Sequence, residues 1–125
     1  KLSAAGITPI ELGNSPLWPA ESVIMSTLGN RCTGDEWYQS LRNNTGSKFT
    51  DEEFVLSLQS LYDLAATGAF NSDVNSIDGD AQRAAFMNGQ AAIMFDGSWA
   101  VSALDANMED DMKAVVKFGG RQGRG

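Results

Sequence analysis

Apolar positions follow a helical period over most of this chain and condense into short continuous runs elsewhere. Phe54, Leu58, Leu61, Tyr62 and Ala65 fall on one stripe, the spacing of an amphipathic helix. Thr50 and Glu53 precede the stripe at capping-box spacing and Gly68 follows it, so the longest helix is expected to end at Thr67. Thr33 and Glu36 repeat the capping-box spacing ahead of Trp37, Tyr38 and Leu41. That predicts a short helix to about Asn43, then a loop over 43–48. Ser15-Pro16 offers a hydroxyl cap followed by proline at the first helical position. The helix it starts carries Val23, Ile24 and Leu28 and is expected to run to about Gly29. Residues 69–77 read as a polar loop. Ser76 or Asp78 caps the next helix, which ends at Asn88 before Gly89.

Three runs break this period. Residues 7–12 are short, β-branched at several positions and bounded by glycines, which predicts a strand; Pro9 makes it irregular or an edge. Residues 91–95 predict a buried strand. Ser98 then caps a short helix from Trp99 to about Ala106, with Glu109, Asp110 and Asp111 in a loop beyond it. Residues 112–118 predict a last strand, and residues 1–6 read as a helix end with Gly6 just past it. The sum is an α/β chain, mostly helical, with strands too few and too short for an autonomous sheet.

Composition narrows the functional classes. The 125 residues make one domain's worth of chain. A net charge of −7 argues against a nucleic-acid partner, which needs basic surface, and against docking on anionic lipid. The single cysteine, Cys32, excludes an internal disulfide, and the absence of histidine excludes histidine-based triads and zinc sites within this chain. No cofactor is expected. No apolar run approaches the ~20 residues of a membrane-spanning helix, and no signal peptide is visible. The start at Lys1 without methionine and the terminal Gly-Gly-Arg-Gln-Gly-Arg-Gly read as the ends of a piece of a larger protein.

The richest segment is Phe86-Met87-Asn88-Gly89-Gln90-Ala91-Ala92-Ile93-Met94-Phe95-Asp96-Gly97-Ser98-Trp99. It reads as helix, glycine stop, strand, tight turn and a new helix with tryptophan in its first turn. A helix start offers unpaired N–H donors, glycine admits a ligand close to the backbone, and an indole gives a flat face for the C–H side of a sugar ring. The alternative is a core tryptophan under a capped helix. Leu12-Gly13-Asn14-Ser15-Pro16-Leu17-Trp18-Pro19 repeats the arrangement. If the two strands are neighbours, both turns open on one edge and Trp18 and Trp99 face one cavity. For Trp18 the alternative is surface packing. Trp37 and Tyr38 are expected in the core. The acidic runs Glu52/Glu53 and Glu109/Asp110/Asp111 fit a helix first turn and a solvated face better than paired catalytic carboxylates. Asn43-Asn44-Thr45 matches a glycosylation sequon, which bears only on a eukaryotic secretory setting.

These segments resemble extracellular solute-binding protein family 1, the maltose-binding-protein-like sugar-capture components of ABC importers. The resemblance runs from Ala5-Gly6-Ile7-Thr8-Pro9-Ile10 through Leu12-Gly13-Asn14, Trp18-Pro19, Gly34-Asp35-Glu36-Trp37 and Thr67-Gly68-Ala69-Phe70-Asn71 to the segment ending at Trp99. It implies a periplasmic-binding-protein-like fold of two lobes, with residues 1–118 as a partial C-terminal lobe. Residues 119–125 are expected to be a Gly/Arg tail, disordered or a truncation end, where the family would continue with a proline-containing turn and further strand.

The resemblance also implies a sugar ligand held between lobes by Trp99, Gly97 and Ser98, with Trp18 a second aromatic. Asp96 and Asn14 are positional candidates for hydroxyl contacts. By the same resemblance the chain is non-enzymatic, monomeric and extracytoplasmic, in the periplasm or lipoprotein-anchored, and a membrane permease reads its closure. Two other readings stay open. One is a glycoside-acting enzyme using Asp96 or Glu11 with Glu21. The other is a helical protein-interaction module with the tryptophans in its core.

Overall fold

The computed structural model describes residues 1–112. Strand β1 (Thr8–Glu11) pairs in parallel with β2 (Ala91–Met94), in the register Thr8↔Ala91 and Ile10↔Ile93. An isolated bridge from Ile10 to Phe70 lies beside them. Around this sheet are α1 (Ser26–Thr33), α2 (Asp35–Arg42), α3 (Glu52–Ala66), α4 (Gly79–Met87) and α5 (Val101–Met112). The α/β class with helices dominant is as the sequence predicts. β2 is less covered than expected: Ala91 is buried but Ile93 is 48% exposed. Gly6 takes the left-handed conformation (φ 74°) that ends the first short turn, here a 3-10 turn over Ser3–Ala5.

Several boundaries move, each for a local reason. The helix after β1 starts at Trp18, runs through a π-helical segment (Ala20–Met25), and continues as α1 past Gly29. Gly29 lies inside the helix, where the Tyr38 hydroxyl packs against it; a Cβ there would sit 2.5 Å from that oxygen. The cap is not Ser15. Residues 14–17 close a turn through the Leu17 N–H to Asn14 carbonyl bond, and Asn14 Oδ1 accepts from Ala20 N–H at 3.0 Å. Neither capping box forms. Thr33 is the last residue of α1 and its hydroxyl turns back to the Gly29 carbonyl, while Gly34 (φ 80°) breaks the chain before α2. Asp51, not Thr50, occupies the cap position of α3. Its carboxylate accepts instead from Lys48 N–H at 2.9 Å and Trp37 Nε1 at 2.8 Å, and these bonds hold its pKa below the usual carboxylate value.

Helix α3 is also rotated from the expected stripe. Phe54, Ser57, Leu61 and Leu64 turn inward, and Leu58, Tyr62 and Ala65 are exposed. Ser57 is small enough for close approach, and its hydroxyl donates to the Phe54 carbonyl at 2.6 Å, so its burial leaves no unmet polar group. Trp37 is buried as expected, stacked on Phe54 with centroids 5.3 Å apart and in edge contact with Tyr38.

A second packing region joins Ala100 and Leu104 to Phe86, Met87 and Met94. The loop expected at Glu109, Asp110 and Asp111 is instead helical, within α5. Of the strand expected over 112–118, Met112 ends α5 and the remainder lies outside the described residues. Among the described residues no helix is long and apolar enough to cross a membrane.

Candidate functional site

Parallel pairing fixes the geometry of the site. Strands running the same way end at the same edge, and in open α/β sheets that carboxyl edge is where ligands gather. The turn after β1 delivers Trp18 and the turn after β2 delivers Trp99. Their rings meet edge to face, with centroids 5.8 Å apart and planes at 67°. Both remain open to solvent: Trp18 is 43% and Trp99 61% exposed. They line a cavity of about 210 Å³ together with Asp96, Arg83, Asp80 and Asp78. That volume is below the ~300–1,000 Å³ of pockets that enclose a drug-sized ligand, so the cavity holds part of a ligand rather than wrapping one.

Two neighbouring residues of α4 brace the turns, Gln82 bridging both and Arg83 reaching the one after β2. Gln82, only 2% exposed, accepts from Gly13 N–H through Oε1 at 2.8 Å and donates from Nε2 to the Phe95 carbonyl at 3.0 Å. One side chain thus satisfies a backbone group on each turn. Arg83 Nη1 donates to Asp96 Oδ2 at 2.7 Å, and its Nη2 pairs with Asp80 Oδ1. The bonds to Asp96 first, and Asp80 second, hold the guanidinium pKa still higher than usual. Asp78 caps α4 by accepting from Asp80 N–H and Ala81 N–H, as its sequence position predicts.

The six sequence candidates do not all reach the cavity in the same way. Trp18, Trp99 and Asp96 are on its wall. Asp96 is already bonded on both oxygens, to Arg83 and to Gly97 N–H at 2.8 Å, though a carboxylate has further lone-pair positions for hydroxyl donors. Gly97 lies beneath Trp99: a Cβ there would come within 2.3 Å of the indole ring. Ser98 is exposed and opens the 3-10 turn Ser98–Ala100, whose cap position is Gly97 and which has no side-chain cap bond. Asn14 is spent on structure, accepting from Ala20 N–H and donating to Asn75 Oδ1 at 3.0 Å.

The carboxylates of the enzyme reading are dispersed. Glu21 lines a separate cavity with Met25 and Phe49. Glu11 is buried on β1, where burial, and secondly the charge of Asp73, push its pKa up. The sequence reading missed Gln82 and Arg83. The available signal was a glutamine at an inward position of a helix whose neighbours on that face, Ala85 and Phe86, are apolar.

Solved structures share this architecture. The chain superposes on a chitin oligosaccharide binding protein with a TM-score of 0.74 and 32% identity, covering 87% of this chain and 26% of that one. It also superposes on a structure from work on xylan utilization by the thermophilic bacterium Caldanaerobius polysaccharolyticus (TM-score 0.78, 26% identity, 86% and 27% covered). A third match is the bacterial solute receptor AcbH, described by its exclusive substrate preference for β-D-galactopyranose (TM-score 0.71, 24% identity, 82% and 25% covered); at that identity the likeness is one of fold. The chain spans about a quarter of the length of each of these. No protein-family model and no curated protein matches it.

Proposed function

We propose that this chain is the sugar-contacting part of a solute-binding protein of family 1, the maltose-binding-protein-like components of ABC importers. The observation that carries the reading is the corner of two indole rings, Trp18 and Trp99, open to solvent above a wall of carboxylate and guanidinium groups. A sugar ring lays its C–H face on Trp99, and its hydroxyls reach sideways to Asp96 and Asp80. The planes at 67° suit one stacked ring with the second indole closing its flank, rather than a sandwich. Gly97 contributes by letting the Trp99 indole lie down, Asn14 by holding the helix start next to Trp18, and Ser98 by an exposed hydroxyl beside the ring. The sugar-binding proteins among the structural matches support the ligand class.

In this reading residues 1–118 belong to a C-terminal lobe, with 119–125 beyond it. Exposed apolar side chains on β2 and α3 (Ile93, Val55, Leu56 and Leu58) fit a lobe that packs against more chain. A second lobe would complete the small cavity, hinge closure would trap the sugar, and a membrane permease would read the closed state. The protein then works as a monomer outside the cytoplasm, in the periplasm or lipoprotein-anchored, and transforms nothing.

The test is a thermal-shift and calorimetric screen of mono- and oligosaccharides against the full-length protein, both lobes present, alongside nitrophenyl glycosides as a turnover check. A saccharide that raises Tm progressively, by an amount that grows with the logarithm of its concentration once the site is filled, supports capture. Release of nitrophenol, or no shift with any saccharide, contradicts it.

A further inference from the structure

The charge balance of the Trp18/Trp99 cavity is one-sided. Three carboxylates, Asp78, Asp80 and Asp96, line it against one guanidinium, Arg83. That guanidinium is already spent, bonded to Asp96 on one side and to Asp80 on the other. The positive N-terminus of α4 also points here and would ordinarily draw an anion. Its first donors are taken as well: Asp78 Oδ1 accepts from Asp80 N–H at 3.1 Å and from Ala81 N–H at 3.0 Å. What faces an incoming ligand is therefore net carboxylate, with the Asp80 side chain 89% exposed. The exposed Trp99 indole adds the negative face of its ring, which attracts ammonium groups and not carboxylates.

We propose that this cavity selects its sugar by charge, admitting neutral sugars, favouring those that carry a free amino group, and refusing uronic acids. The inference rests on the carbohydrate reading above and deepens it. An amino sugar places its ammonium between Asp80 and the indole face. A uronate brings its carboxylate against two or three others with no unspent cation to meet it. Because the groups are partly exposed, the discrimination shrinks as salt rises.

The experiment titrates the protein with matched trios, followed by tryptophan fluorescence at low and high salt. The trios are glucose, glucosamine and glucuronate; galactose, galactosamine and galacturonate; and the β-1,4-linked tetramers of each. The expected result is that the neutral member binds, the amino member binds more tightly, and the uronate is weaker by about tenfold or more. High salt should compress that order. Asp80→Asn should bring the neutral-to-uronate ratio toward one, and Asp78→Asn, which keeps the cap, should do so in part. A uronate that matches or exceeds its neutral partner overturns charge selection and leaves sugar capture standing. Failure of every member of every trio overturns sugar capture and charge selection together.

Discussion

Trp18 and Trp99 meet edge to face with their ring centroids 5.8 Å apart, although each closes a different strand-to-helix turn. The contact exists because β1 and β2 run parallel and adjacent, so the turns that follow them emerge side by side. Both rings stay open to solvent, 43% and 61% exposed, so neither is sealed inside a core.

Replacing Trp99 with alanine is expected to weaken saccharide binding by about tenfold or more, ~1.4 kcal/mol at the least, and to leave melting nearly unchanged. Calorimetric titration and a thermal melt of the same variant check both halves. A collapsed melt with unchanged affinity per folded molecule would make Trp99 a core residue.

Gln82→Ala should behave in the opposite way. It strips partners from the Gly13 N–H and the Phe95 carbonyl, and each unmet buried group costs about 1–3 kcal/mol. A loss of roughly 2 kcal/mol or more should appear in chemical denaturation. Wild-type stability in that variant would mean that the two turns are held by other contacts.

Two glycines separate scaffold from site. A Cβ at Gly13 would lie 2.1 Å from the Asp78 carbonyl oxygen, a backbone atom that cannot move cheaply. Gly13→Ala should therefore destabilise by about 1–3 kcal/mol. The atoms nearest a Cβ at Gly97 belong to the Trp99 ring, a side chain that can swing away. Gly97→Ala should melt near wild type yet bind sugar poorly, a split visible by comparing Tm with affinity for the pair of variants.

Much of this was readable in the residues. Asp78, one of two cap candidates for α4 beside Ser76, Gly6 as a stop, and the strands β1 and β2 follow from local chemistry that acts within a few positions. The convergence of Trp18 and Trp99 was conditional on the strands being neighbours, a long-range fact. The roles of Gln82 and Arg83 at the turns depend on long-range partners, Gly13 and Asp96, which lie 69 and 13 positions away. The α3 face was misjudged for a related reason. Apolar spacing gives a stripe, but the most buried position of the helix is Ser57, a polar residue off that stripe whose hydroxyl is satisfied within the helix.

The raised pKa of Glu11, caused first by burial and then by Asp73, gives a pH signature. A carboxyl whose folded pKa lies above its unfolded value binds more protons when folded, so stability falls as pH rises from about 4.5 through the raised pKa. Glu11→Gln should accordingly stabilise the protein at pH 7, and the gain should shrink toward pH 4.5. Denaturation midpoints across that range check it; a gain independent of pH would point to packing instead of charge. Asp51 runs the other way: its lowered pKa contributes stability above about 3.8 that is lost as pH falls through the depressed value.

The most direct test of sugar capture uses the three tryptophans as their own control. Each gives one indole N–H signal in a nitrogen-15 correlation spectrum, and Trp37 is buried and bonded to Asp51. On titration with the best saccharide from the thermal screen, the Trp18 and Trp99 signals should move together and saturably while Trp37 stays in place. Stationary Trp18 and Trp99 signals, or a shift at Trp37 as large as theirs, would contradict a sugar site at this corner.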